Sequence, residues 1–168
     1  MNAQEKKLIY LVDDDEWYVE LMSMRLQPNE EYQIKTFTTG ENMLKNLTEA
    51  PDLIVLDNNL NSNDPTAKNG KEVMEELVKK NINVPVILLS GNEDVSTAVK
   101  LLKYNASDYI VKGDDALDKL AESIKKIFSF QALEVKEQHL VQEKNKLQKR
   151  IFFASFLCAV AILAILLT

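Results

Sequence analysis

Side chains able to do chemistry stand at the ends of successive apolar runs. Leu8-Ile9-Tyr10-Leu11-Val12 leads into Asp13, Asp14 and Asp15, and Leu53-Ile54-Val55-Leu56 ends in Asp57. Val84-Pro85-Val86-Ile87-Leu88-Leu89 leads into Ser90 and Gly91, and Asp108-Tyr109-Ile110-Val111 ends in Lys112. Brought together, Asp13, Asp14 and Asp57 would set like charges a few ångströms apart, which is unfavourable unless a cation sits among them. Mg2+ suits such a site, because it takes oxygen ligands, few of them from protein, and leaves positions for water and phosphate. Asp57 then becomes the candidate nucleophile, forming an acyl phosphate. Mg2+ and the Lys112 ammonium would neutralise the equatorial phosphoryl oxygens, and the Ser90 hydroxyl could donate to one of them. Gly91 leaves the approach open.

Each residue alone has a plainer explanation. One of Asp13–Asp15 can cap the first helix. A lone Asp, Ser or Lys at a strand end commonly serves solubility, and Tyr109 alone reads as a half-buried strand aromatic. Their joint occurrence at the ends of separate strands favours a functional site.

The elements that must position them follow from apolar spacing. A run apolar at every position, as at 53–56, is a strand buried on both faces of a parallel sheet. Strands are expected at Leu8–Val12, Tyr32–Phe37, Leu53–Asp57, Val84–Leu89 and Ser107–Val111. Helices are expected at Glu16–Leu26, after a capping box at Thr38-Thr39-Gly40-Glu41, at Gly70–Lys80 with Val73, Met74, Leu77 and Val78 on one side, at Asp94–Tyr104, and from Asp114 onward. Strand alternating with helix implies an α/β fold, a five-stranded doubly wound parallel sheet of flavodoxin-like order 2-1-3-4-5. Carboxyl ends of strands in such sheets are where ligands bind.

Composition removes other chemistries. The 168 residues are enough for one domain and an appendage, and the net charge of −6 argues against nucleic-acid binding by phosphate neutralisation. The single histidine, His139, and single cysteine, Cys158, exclude an intramolecular disulfide, a zinc site and Cys-His or Ser-His-Asp catalysis. His139 reads as a surface residue, and Cys158 as a small packing residue in an apolar tail. Met1–Lys7 lacks the apolar core of a signal peptide.

Beyond the last apolar helix face the chain changes character. Phe130–Arg150 is mostly charged and amide residues, with Leu133, Leu140 and Leu147 seven apart and Glu137 and Lys144 at the companion positions. A solvated helical stalk and a weakly encoded coiled coil, hence a homodimer, are both compatible with this. Ile151–Leu167 is 17 residues without charge, Pro or Gly. That length is at the short end of what spans a bilayer as helix, and Lys144, Lys146, Lys149 and Arg150 precede it. The expectation is therefore a domain over 1–128, a stalk over 129–150 and a transmembrane tail anchor over 151–168, with the domain on the cytoplasmic face of the membrane.

Residues 8 to about 126 resemble the receiver domain of two-component response regulators. The resemblance rests on the run from Leu8 to Asp15, on Leu53–Asp57, on Val86–Gly91 and on Ala106–Lys112, in that order and spacing. It implies that Asp57 accepts a phosphoryl group from a histidine kinase or phosphotransfer protein. It implies Mg2+ held by Asp13, Asp14, Asp57 and the main-chain carbonyl of Asn59, with Lys112 pairing the phosphoryl group. Ser90 and Tyr109 would form the switch, and Asn59 and Asn92 would tune dephosphorylation. The chain departs from the family in the long Asn58–Asn69 loop, which lacks the usual Met-Pro, and in Gly113, which stands where proline is usual. No output domain follows, so a protein contact made by the 94–104 helix, the fifth strand and the last helix is the expected output.

Two competing readings remain at this level. One is a receiver-like scaffold that is never phosphorylated. The other is a haloacid-dehalogenase-like phosphatase with Asp13 as nucleophile and Asp15 as acid, although Glu16-Trp17 follows where that family has Thr or Val. The receiver reading makes the chain a phosphoacceptor signalling domain and not an enzyme.

Overall fold

The computed structural model describes residues 6–62, 64–91 and 106–166, with the side chains of 154 and 156–166 outside that description. Five strands form one parallel sheet in the order β2-β1-β3-β4-β5. They are β1 (Lys7–Val12), β2 (Tyr32–Phe37), β3 (Leu53–Asp57), β4 (Val86–Ser90) and β5 (Ala106–Val111). The helices are α1 (Glu16–Leu26), α2 (Gly40–Lys45), α3 (Gly70–Lys79) and α4 (Ala116–Leu166). The expected fold class stands: a flavodoxin-like parallel α/β sheet of order 2-1-3-4-5, with a long C-terminal helix. The helix expected over Asp94–Tyr104 lies outside the described residues.

The central strands are buried at every position, as their unbroken apolar runs require. Successive side chains point to opposite faces. On one face Tyr10, Val12, Ile54, Leu56 and Leu88 pack with Met43 of α2 and Val73, Met74 and Leu77 of α3. Ile9, Leu11, Leu53, Val55, Ile87 and Leu89 alternate with them on the other face, where α1 buries Val19, Met22 and Leu26 and the start of α4 buries Leu120 and Ile124. Arg25 of α1 pairs with Asp118 of α4 at 2.9 Å. Tyr10 packs against Phe37 with ring centres 4.8 Å apart and planes tilted by 56°, and its buried hydroxyl donates to the carbonyls of Asn46 and Glu49.

Local details differ from the sequence reading. Thr39, not Thr38, caps α2, accepting from the Asn42 N–H. Glu41 therefore does not close a box but accepts from the Lys68 N–H at 2.7 Å. A full capping box forms instead at α3, between Asn69 and Glu72. Val78 points outward, 53% exposed, while Val73, Met74 and Leu77 carry the buried face.

The chain divides into two compact units, Met1–Ile127 and Phe128–Thr168. In the second, Leu133, Leu140 and Leu147 are exposed, and His139 faces Glu143 at 3.9 Å on the helix surface. The transmembrane anchor expected over Ile151–Leu167, and with it the placement at the cytoplasmic face of a membrane, is corrected. Among the described residues no helix is long and apolar enough to cross a membrane. Ile151–Leu167 is 17 residues, short of the about 20 apolar residues that a span takes. The side chain of Cys158 lies outside the described residues.

Candidate functional site

The parallel register of the sheet brings the chemical side chains together at the carboxyl ends of its strands. Asp57 closes β3 level with Leu89, one residue before Ser90, and Ser90 is level with Val111, one residue before Lys112. Asp13 follows β1 directly, and its N–H donates to the Phe37 carbonyl. Asp13, Asp57 and Ser90 are buried, with 0%, 2% and 1% exposure. Asp13, Asp14 and Asp57 each present a carboxylate oxygen within 4.8 Å of the others. They line an open cleft of about 520 Å³ together with Asp15, Trp17, Asn59, Ser62, Gly91 and Lys112.

Lys112 reaches into this cluster. Its Nζ lies 2.7 Å from Asp13 Oδ2 and 2.7 Å from Asp57 Oδ1. The second Asp57 oxygen, Oδ2, accepts from the Asn59 N–H at 2.6 Å. Burial raises the Asp13 carboxyl to about 6, opposed by its hydrogen bond from Lys112 and reinforced by the nearby Asp57 charge. Burial alone would lower Lys112, but its hydrogen bonds to Asp13 and Asp57 outweigh that and leave it raised. Three carboxylates against one ammonium leave negative charge in a partly desolvated cleft. That excess, with all-oxygen donors, fits a hard divalent cation such as Mg2+. Asp13, Asp14, Asp57 and the Asn59 carbonyl are the groups that could hold it.

The remaining expected residues are placed as follows. Ser90 ends β4, and its carbonyl accepts from the Lys112 N–H at 2.8 Å. Tyr109 lies on β5 level with Leu88, half-buried against the core. Asn59 stands in the cleft wall, and Asn92 lies outside the described residues. Gly91 is open, a Cβ there meeting nothing within 4 Å among the described residues. The Lys112–Gly113 peptide is trans. Asp15 caps α1, its carboxylate accepting from the N–H groups of Trp17 and Tyr18. An acid held in that cap is poorly placed to protonate a leaving group at Asp13, as the phosphatase reading needs.

Two residues escaped the sequence reading. Tyr18 of α1 lies under Lys112, whose Nζ is 4.5 Å from the ring centre, a cation–π distance. Its hydroxyl is buried without a hydrogen-bond partner among the described residues, and burial raises its pKa. Ser62 donates its N–H to Asp14 Oδ2 at 3.0 Å and its hydroxyl to the Asn59 carbonyl at 2.7 Å. Neither had a signal, because Tyr18 breaks no apolar pattern and Ser62 sits in a polar loop.

Comparison with known proteins decides the family. The model of the response regulator receiver domain matches residues 9–125. The chain belongs to that family. It is 36% identical over 104 residues to the transcriptional regulatory protein CssR of Bacillus subtilis, covering 62% of this chain and 44% of CssR. It is likewise 36% identical over 107 residues to the alkaline phosphatase synthesis transcriptional regulatory protein PhoP of the same organism, covering 63% and 42%. This receiver chain thus spans under half the length of those two regulators. Among solved structures it resembles the BeF3-activated receiver domain of DrrB, a Thermotoga maritima protein, with TM-score 0.63 and 28% identity over 74% of this chain and 98% of that one. Receiver domains are signalling domains with an acidic Mg2+ pocket, and they interact with histidine kinases or phosphotransfer proteins. The phosphatase alternative falls with this assignment.

Proposed function

We propose that this receiver accepts a phosphoryl group on Asp57 from a histidine kinase or phosphotransfer protein, in a Mg2+-dependent step, and acts through protein contacts. The observation that carries the reading is the shared grip on Asp57: Lys112 on one oxygen, the Asn59 N–H on the other, and Asp13 and Asp14 alongside. An Asp57 oxygen forms the bond to phosphorus as the donor's P–N bond breaks and its imidazole leaves with that electron pair. Lys112 is the cation in place to follow charge onto the phosphoryl oxygens, because it already bridges two acids. Asp13, Asp14, Asp57 and the Asn59 carbonyl would hold Mg2+, which when bound offsets charge on the transferring group.

Ser90, buried at the end of β4, is the hydroxyl that would turn to the phosphoryl group, and Tyr109 the aromatic that would follow it inward. Asn59 and Asn92, two residues past the acceptor and the hydroxyl, are the positions that would set phosphoryl lifetime. The domain is proposed over 1–128 and the stalk over 129–150, where Leu133, Leu140 and Leu147 offer an exposed column for self-association.

The test uses the full chain with Mg2+ and a small-molecule phosphoramidate, read by intact mass. An adduct in the wild type that is absent from Asp57→Asn is the expected result. No adduct in either protein, with Mg2+ binding demonstrated, would leave a scaffold that is never phosphorylated.

A further inference from the structure

Resting on the receiver reading above, we infer that Ser62, in the loop after the acceptor, is a positioning residue for the divalent-cation site. Three hydrogen bonds carry this. The Ser62 hydroxyl donates to the Asn59 carbonyl at 2.7 Å, and its N–H is shared between that carbonyl at 3.2 Å and Asp14 Oδ2 at 3.0 Å. Asn59 in turn donates its N–H to Asp57 Oδ2. Asp14, Ser62, Asn59 and Asp57 thus form one hydrogen-bonded chain along the wall of the acidic cleft, and Ser62 is its only member that is neither an acid nor a source of an expected ligand oxygen.

The two acceptors keep the capacity to bind a cation. The Asp14 carboxylate has about four acceptor sites and gives one to Ser62, whereas the Asn59 carbonyl has two lone pairs, so a cation there would displace only the long 3.2 Å bond from the Ser62 N–H, which stays on Asp14 Oδ2, while the hydroxyl keeps the other. What Ser62 supplies is orientation. Asn59 sits at the start of a polar loop, and without the hydroxyl its carbonyl keeps, among the described residues, only the long, shared bond from the Ser62 N–H. A ligand that must be ordered on binding costs affinity, and one already held does not. The departure of this chain from the family's usual Met-Pro loop therefore comes with its own brace for the metal ligands.

The test is isothermal titration of MgCl2 into the full chain, with wild type, Ser62→Ala and Ser62→Thr compared. Loss of one hydrogen bond of ordinary strength predicts a Mg2+ Kd about threefold to tenfold weaker in Ser62→Ala. Ser62→Thr, which keeps the hydroxyl, is expected to restore it. A purely structural serine would lower the melting temperature of the metal-free protein and leave the Kd alone. Equal or tighter Mg2+ binding by Ser62→Ala, with wild type binding normally, overturns this inference and leaves the receiver reading intact. No Mg2+ binding by wild type overturns both.

Discussion

Asp13 is a fully buried carboxyl raised to about 6, chiefly by loss of water. In the unfolded chain it titrates near 4, about the ordinary carboxylate value. Between those two values the folded state keeps a proton that the unfolded state has shed, so stability falls as pH rises through the window. Melting temperatures of the metal-free chain from about pH 4 to 7 should therefore carry a downward contribution that Asp13→Asn removes. Mg2+ reverses the sense, because only the ionised acid is a ligand, so its affinity should climb across the same interval. The acids, Ser90 and Lys112 were legible in the sequence because each ends an apolar run, and the end of a run is visible without knowing its neighbours. Tyr18 and Ser62 were not, since their partners Lys112 and Asp14 come from other elements and no periodicity marks such pairs.

Strands and helices were legible where burial is uniform or strictly periodic. β2, β3 and α1 fall where their patterns place them, with Phe37, all of β3, and Val19, Met22 and Leu26 of α1 buried in the core. Caps were less so. Glu41 fits a box with Thr38 by spacing, yet the adjacent Thr39 also caps, and the Lys68 N–H competes for the carboxylate. The junction of β3 and α3 was also invisible, and it rests on Gly70. A Cβ there would lie 2.5 Å from the Asp57 carbonyl oxygen and 2.7 Å from the Asn58 Cα, both backbone atoms that cannot swing aside. Gly70→Ala should cost roughly 1–3 kcal/mol in denaturant unfolding. Because the clash falls on the acceptor's own peptide, Mg2+ binding should weaken as well. Unchanged unfolding would mean that the helix start shifts freely.

The molecule as a whole carries a helical segment whose apolar column is exposed, with no partner among the described residues. Leu140 is 56% exposed, between Leu133 and Leu147, with Glu137 and Lys144 at the companion positions. Sedimentation of the full chain should show a reversible dimer that Leu140→Lys converts to monomer, with Asp57 phosphorylation unaffected. A wild-type monomer at all concentrations would make the segment a solvated stalk. The charged segment was legible as helix because no Pro or Gly interrupts it, whereas the meaning of the apolar run beyond it was not, since composition alone does not say what surrounds a helix. The loop after the acceptor has a different kind of consequence. It is pinned at Ser62 to Asp14, at Lys68 to Glu41 and at Gly70 to the Asn58 carbonyl, while among the described residues Asp64 bonds with Thr66 and Ala67 of its own turn. Inserted or deleted residues between the pins at 62 and 68 would leave those three anchors in place. That turn is where a lineage could lengthen the chain, or an engineer graft a recognition peptide, a few residues from the acceptor without rebuilding it.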